Sequence, residues 1–206
     1  MSPSAALLIV DIQNDFLPGG ALGVPNGDEV IPTINRLALH FDTIVMSQDW
    51  HPPGHISFAS SHAGKLPFST VELGYGTQVL WPDHCVQGTA GARFADKLAV
   101  PQAQAVVRKG YHTHTDSYSA FLEADRKTRT GLAGLLRERG VQRVYICGLA
   151  LDFCVAWSAQ DAVAAGFEAI VIDDACRAID TNGSLDAALA AFEQAGVTRI
   201  GSDAIG

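Results

Sequence analysis

Six short apolar runs, separated by helix-like stretches, constrain this chain more than any other feature of its sequence. They are Ala5 to Val10, Thr43 to Ser47, Ala103 to Arg108, Val141 to Cys147, Glu168 to Ile172 and Val197 to Ile200. Runs this short, rich in aliphatic and β-branched residues, read as strands buried on both faces. Helices are expected from Asp28, as a cap, to about Leu39, near Thr130 to Arg139, from Phe153 to Ala165 and from Leu185 to Gln194. Strand alternating with helix predicts an α/β fold: a six-stranded, mostly parallel sheet with helices on both faces, a Rossmann-like three-layer arrangement. Residues 1–206 read as a single domain, without repeats, low-complexity tracts or linkers.

The charge balance limits the partners. With 22 acidic and 14 basic residues the net charge is −8, which argues against nucleic acid and anionic membranes and for a small-molecule substrate. The opening Met1-Ser-Pro-Ser-Ala-Ala-Leu lacks a basic n-region and runs into the first strand, so it is not read as a signal peptide. No apolar run approaches the ~20 residues of a membrane span. The four cysteines (Cys85, Cys147, Cys154, Cys176) form no C-x-x-C pair, as expected for a reduced, cytoplasmic protein. A monomer or a homodimer fits equally well.

The strand–helix rhythm breaks between about residues 49 and 103. This insertion is rich in Pro, Gly, Ser and His, shows no convincing strand, and holds four of the seven histidines: His51, His55, His62 and His84. A long irregular segment inside a compact domain is usually functional.

Polar residues end four of the predicted strands or follow them closely: Asp11, Asp49, Lys109 and Cys154. In a parallel sheet those ends share one edge, where open α/β sheets bind ligands. Gly148 breaks the strand before Cys154, and Asp152 is a good N-cap for the helix beginning at Phe153. Cys154 therefore falls in a first helical turn, where free N–H groups and the positive dipole end gather. A thiol there is expected to be more acidic than the free value of about 8.5, and the same N–H groups can hold an oxyanion. Alone, Cys154 reads equally well as a small buried hydrophobe. Lys109 beside it would favour thiolate, Asp11 would accept its proton, and the joint placement points to a nucleophile.

Asp49-Trp-His51, with His84 in Trp81-Pro-Asp-His-Cys, forms a second constellation. One carboxylate and two imidazoles leave open positions on an ion. That stoichiometry suits a catalytic Zn²⁺, Fe²⁺ or Mn²⁺ site better than a closed structural one. His55, four positions beyond His51, is a candidate extra ligand. His62, His112 and His114 are expected to be solvated.

Val10-Asp11-Ile-Gln-Asn-Asp-Phe16, Asp49-Trp-His51, Trp81-Pro-Asp-His-Cys-Val-Gln-Gly-Thr89, Lys109-Gly110 and Gly148-Leu-Ala-Leu-Asp-Phe-Cys-Val155 resemble, in matching order, the nicotinamidase (pyrazinamidase) branch of the isochorismatase-like cysteine hydrolases. The resemblance implies a cytoplasmic amidase of pyridine nucleotide salvage, hydrolysing nicotinamide and pyrazinamide through a thioester. It implies Cys154 as nucleophile, Asp11 as general base and Lys109 as third member of the triad. Asp49, His51 and His84 match ligands of one divalent metal, and Phe16, Trp81 and Tyr118 match aromatic walls around the ring. Ala150 and Cys154 match the oxyanion-hole N–H donors, with a cis peptide just before Ala150. Leu151 departs from the threonine common in the family. Two rivals remain: a related amidase of carbamoyl or ureido compounds, and a catalytically silent metal-binding member.

Overall fold

The first apolar run forms β1 (Ala5–Val10), and every residue of it past Ala5 is buried. The computed structural model describes residues 4–205; Met1 to Pro3, part of the stretch read as lacking a leader, lie outside the described residues. The other strands are β2 (Thr43–Asp49), β3 (Thr70–Leu73), β4 (Gly76–Val79), β5 (Ala105–Lys109), β6 (Arg143–Leu149), β7 (Glu168–Arg177) and β8 (Thr198–Ile200). Four helices accompany them: α1 (Val30–Leu37), α2 (Leu132–Glu138), α3 (Ala156–Ala164) and α4 (Ser184–Ala195). Among the described residues, no helix is long and apolar enough to cross a membrane.

Six strands form one sheet in the order β5-β2-β1-β6-β7-β8, and every neighbouring pair is parallel. The crossover from β1 to β2 moves one way across the sheet. Those from β5 to β6, β6 to β7 and β7 to β8 move the other way. Right-handed crossovers then put α1 on one face and α2, α3 and α4 on the other. The three expected layers result. α1 presents Val30, Ile31, Ile34 and Leu37 to the core at helical spacing.

Leu7, Leu8, Ile9 and Val10 are each at most 1% exposed in the centre of the sheet. Burying each such side chain contributes roughly 1.5–3 kcal/mol. Beside them, Gly148 at φ +122° lets β6 approach β1, because a Cβ there would collide with the Val10 carbonyl oxygen.

Several expectations differ from the structure. β2, β6 and β7 run past the ends of their apolar runs, because backbone pairing does not depend on side-chain polarity: Gln48 and Asp49 pair with Arg108 and Lys109, and Gly148 and Leu149 with Cys176 and Arg177. The insertion contains a two-stranded antiparallel hairpin, β3–β4, where no strand was expected. Most of its residues are exposed or half-buried, so burial imposes little apolar pattern on the sequence. Asp28 caps nothing, since a 3-10 turn (Gly27–Glu29) precedes α1. Asp152 is not a cap either. Its carboxylate accepts hydrogen bonds from the Ile179 and Asp180 N–H groups and the Ser184 hydroxyl, tying the turn after β6 to the start of α4.

Candidate active site

The sheet reverses its winding between β1 and β6, and ligands bind beyond the strand ends at such a point. Asp11 follows β1, Cys154 lies in a π-helical turn (Leu151–Val155) after β6, Asp49 ends β2 and Lys109 ends β5. The structure brings these four together around one atom. Lys109 Nζ donates to Asp49 Oδ1 at 3.0 Å, the Ser117 carbonyl at 2.9 Å and Cys154 Sγ at 3.3 Å. Those bonds use all three ammonium protons. Asp11 Oδ2, 2.9 Å away, is held by charge without a hydrogen bond aligned to it. The other oxygen, Oδ1, accepts from Ser47 Oγ at 2.7 Å. Asp11 adopts φ +48°, so the chain turns sharply as it leaves β1.

Lys109 is completely buried, and burial alone would lower its pKa. The Asp11 and Asp49 carboxylates outweigh that effect and hold its pKa well above the lysine range. Burial raises the Asp11 pKa, with Lys109 opposing. Cys154 departs from the acidified thiol expected. Burial pushes it well above the usual thiol range, Lys109 pulls it back, and Asp11 and Asp49 push it further up. Desolvation with two carboxylates outweighs one ammonium, so the resting sulfur keeps its proton and needs a base to give it up.

Asp49, His51 and His84 form a buried group able to hold a metal ion. Asp49 Oδ2 lies 3.0 Å from His51 Nε2 and 3.3 Å from His84 Nε2. The opposite ring nitrogens are committed: His51 Nδ1 bonds the Gly110 carbonyl and His84 Nδ1 the Pro82 carbonyl, each at 2.8 Å. A carbonyl requires N–H on Nδ1, which leaves Nε2 as a lone-pair donor when the ring is neutral. Two such lone pairs facing one carboxylate oxygen call for a cation between them, so the donor set fits a divalent ion. Burial works against charge on His51, but Asp49 outweighs it and raises the pKa. Asp49 shows the converse: burial opposes its charge, yet His51 and Lys109 hold its pKa far below the usual range. Gln13 fixes this ligand from behind, pairing with both the N–H and the carbonyl of Asp49 at 2.7 and 2.8 Å. Gly110 is required here, since a Cβ at φ +64° would come within 2.5 Å of the His51 ring.

His55, His62 and His112 have partners outside this group. His55 Nε2 faces the His112 and Thr115 carbonyls, and Nδ1 lies 2.7 Å from Ser57 Oγ. Burial and the neighbouring His51 push its pKa down to about 4. His51, His55 and Asp116 form a second buried group able to hold an ion, and His55 stays a candidate extra ligand although both its nitrogens have hydrogen-bond partners in the loop. His62 departs from the solvated role expected, donating to the Ile56 carbonyl at 2.7 Å. His112 pairs with buried Glu123 at 2.8 Å, and His114 is exposed.

A small cavity opens over Cys154 and the Asp49–His51–His84 group, lined also by Phe16, Trp81, Tyr118 and Ala150. Trp81 Nε1 donates to Tyr118 Oη at 3.0 Å, and Trp81 meets Phe153 edge to face at 4.9 Å. The unexpected hairpin braces this wall: Gln78 of β4 donates to Asp116 Oδ2 at 2.7 Å and to Tyr118 Oη at 3.1 Å. Ala150 sits at the entry of the turn that carries Cys154, after a cis Leu149–Ala150 peptide. Sequence reasoning passed over Gln13, Gln78, Asp116 and Ser117. Only Gln13 left a signal, as a polar residue just past a strand end and inside the quoted motif.

Residues 5–204 match the isochorismatase domain family. A nicotinamidase of Acinetobacter baylyi is 59% identical over 199 residues, 97% of this chain and 93% of its own. An Acinetobacter baumanii nicotinamidase/pyrazinamidase structure superposes with a TM-score of 0.98 at 56% identity, covering all of both chains. A Pyrococcus horikoshii pyrazinamidase in complex with zinc gives 0.79 at 36% identity, over 97% of this chain and 99% of that one. On family match, identity and fold together, the chain belongs to the isochorismatase domain family.

Proposed function

We propose that this protein is a metal-assisted cysteine amidohydrolase, a nicotinamidase that also accepts pyrazinamide. The carrying observation is that Asp11 and Lys109 meet behind Cys154, which lines a cavity that Asp49, His51 and His84 also line. The names of the Acinetobacter and Pyrococcus relatives support the substrate class. A divalent ion held by Asp49, His51 and His84, whether zinc, iron or manganese, would supply a Lewis acid for the ring nitrogen of a pyridine carboxamide. The set of ligands and their open coordination support that reading.

In this reading the carboxamide carbon lies over Cys154, with the ring between Phe16, Trp81 and Tyr118. Asp11 takes the thiol proton and the sulfur attacks the carbonyl carbon. Its raised pKa suits a group that must accept and return a proton. Lys109 keeps its charge and stabilises the developing thiolate. The N–H groups of Ala150 and Cys154 receive the oxyanion. Asp11 passes its proton to the leaving nitrogen, and ammonia departs from the thioester. Water then attacks, Asp11 accepts its proton, and the acid is released as the proton returns to sulfur. The whole chain works as one cytoplasmic hydrolase domain, as a monomer or homodimer.

The deciding experiment measures ammonia release from nicotinamide, N-carbamoyl amino acids and ureido acids by the metal-loaded protein. Turnover of nicotinamide alone is expected. Turnover only of carbamoyl or ureido compounds, or of nothing, overturns the reading.

A further inference from the structure

A second cavity lies away from the active site, between the 121–131 loop, α2 and the C-terminal end of α3. It is an open groove of about 520 Å³, and Arg126, Lys127, Arg129 and Arg137 line it with Asp161. Four cations against one carboxylate leave three net positive charges in one groove of a chain whose net charge is −8. Such a local reversal of sign concentrates anions.

Two of the cations are fixed in place. Arg126 makes a two-pronged contact with Asp161, Nη1 to Oδ2 at 3.0 Å and Nη2 to Oδ1 at 2.6 Å. Arg137 donates to the Ala165 carbonyl at 2.6 Å and lies over the Phe167 ring. Lys127 and Arg129 are exposed, and among the described residues their side chains have no hydrogen-bond or carboxylate partner. Asp125, two residues from Lys127, offsets part of this charge through space, but neither it nor Glu123 forms an ion pair with Lys127 or Arg129. Asp125 turns its carboxylate to Thr128 and the loop N–H groups, and Glu123 faces His112.

The floor is a second, independent observation. Gly131, Ala133, Gly134, Ala164 and Ala165 line it, and a Cβ built at Gly134 meets nothing within 4 Å. Glycine inside a helix is destabilising relative to alanine, and Gly134 lies inside α2 with no packing reason to lack a side chain. The groove floor therefore leaves the α2 backbone open to approach.

We propose that this groove binds a small phosphate-bearing anion, with Arg137 as a pre-oriented guanidinium partner, Arg126 anchored to Asp161 at the edge, and Lys127 and Arg129 closing over it. Guanidinium groups match phosphate oxygens in pairs, and the free lysine adds a point charge. The volume suits a phosphate ester with an organic body better than a lone ion.

The test is calorimetric titration of the metal-loaded protein with ADP, inorganic phosphate and adenosine. ADP is expected to bind, phosphate more weakly and adenosine not at all. Lys127→Ala/Arg129→Ala and, separately, Gly134→Leu are each expected to weaken ADP at least tenfold with an unchanged melting temperature. Lys65→Ala/Lys97→Ala, which removes the same charge elsewhere, should leave ADP binding intact. Phosphate binding as tightly as ADP keeps the anion site but removes the organic body from the proposal. The site is overturned by absence of ADP and phosphate binding, by adenosine binding as well as ADP, by equal weakening in the Lys65/Lys97 control, or by ADP binding that survives both groove variants.

Discussion

Asp49 and Lys109 are partners across neighbouring parallel strands, and their side chains join at 3.0 Å through Asp49 Oδ1. The second oxygen of that carboxylate faces His51 and His84. One residue thus links the sulfur-activating cluster to the metal-binding group, and the register of β2 against β5 fixes the distance between them. Changes on either side should be felt on the other.

Lys109→Met tests that linkage. It strands the buried Asp11 and Asp49 carboxylates without their ammonium, and breaking a buried ion pair from one side costs about 3–5 kcal/mol. For a domain of this size that lowers the melting temperature by roughly 6–20 °C. Turnover should vanish and metal retention should change as well. A melting temperature within 2 °C of the native value would show that Lys109 does not compensate these charges.

Cys154→Ala removes the attacking atom and none of the metal-binding side chains. Turnover should fall on the order of 10⁴-fold or more, while metal content by elemental analysis stays at the native ratio. Iodoacetamide should label Cys154, which lines the cavity, before Cys147, which is buried in the sheet. Substantial amidase activity in the Ala variant rules out a thioester route.

Much of this arrangement was readable from the chain. Short apolar runs ending in Asp11, Asp49 and Lys109 fixed the strands, and parallel topology brought the ends together. Contacts that depend on distant backbone left no such trace. Ser117 serves Lys109 through its carbonyl, which no side-chain pattern reports. Asp152 looked like a cap because caps are local, whereas its partners lie 27 to 32 residues onward. The thiol was misjudged for a related reason: a helix start and a lysine are visible in sequence, but burial beside two carboxylates is not.

The pH profile should report Asp11. As the base it must be ionised, so kcat/KM falls as pH drops through its pKa, which burial sets above the ordinary 3.8. The Ser47 hydroxyl favours the ionised form and lowers that pKa. Ser47→Ala therefore removes a stabiliser of the carboxylate and should move the acidic limb to higher pH. Metal content is followed in parallel, so that ligand protonation is not mistaken for the base. A limb that stays in place, or moves to lower pH, means that Asp11 is not the group being titrated.

His55 and His51 should separate cleanly. His51→Ala and His84→Ala each remove one of three donors and should lower metal content and turnover together. His55→Ala should keep the metal but loosen the loop whose carbonyls it holds, at a cost of about 1–3 kcal/mol for groups left unpaired. His62→Ala and His114→Ala should also keep it. Metal loss in His55→Ala equal to that in His51→Ala would make His55 a ligand.

Substrate comparison tests whether the metal grips the ring. Pyrazinamide keeps a nitrogen at the ring position equivalent to that of nicotinamide and should be hydrolysed, whereas benzamide has carbon there. A site built to make one polar contact can reject an analogue lacking it by a factor of about 10⁴. The aromatic walls accept either ring, so the discrimination must come from the Asp49–His51–His84 side of the cavity. Chelation should then depress kcat/KM for nicotinamide far more than for benzamide, which never used that contact. The measurement is kcat/KM for all three amides before and after metal removal, with metal restored as a control. Equal rates on nicotinamide and benzamide in the metal-loaded protein would leave a cysteine amidase whose ion plays no part in choosing the substrate.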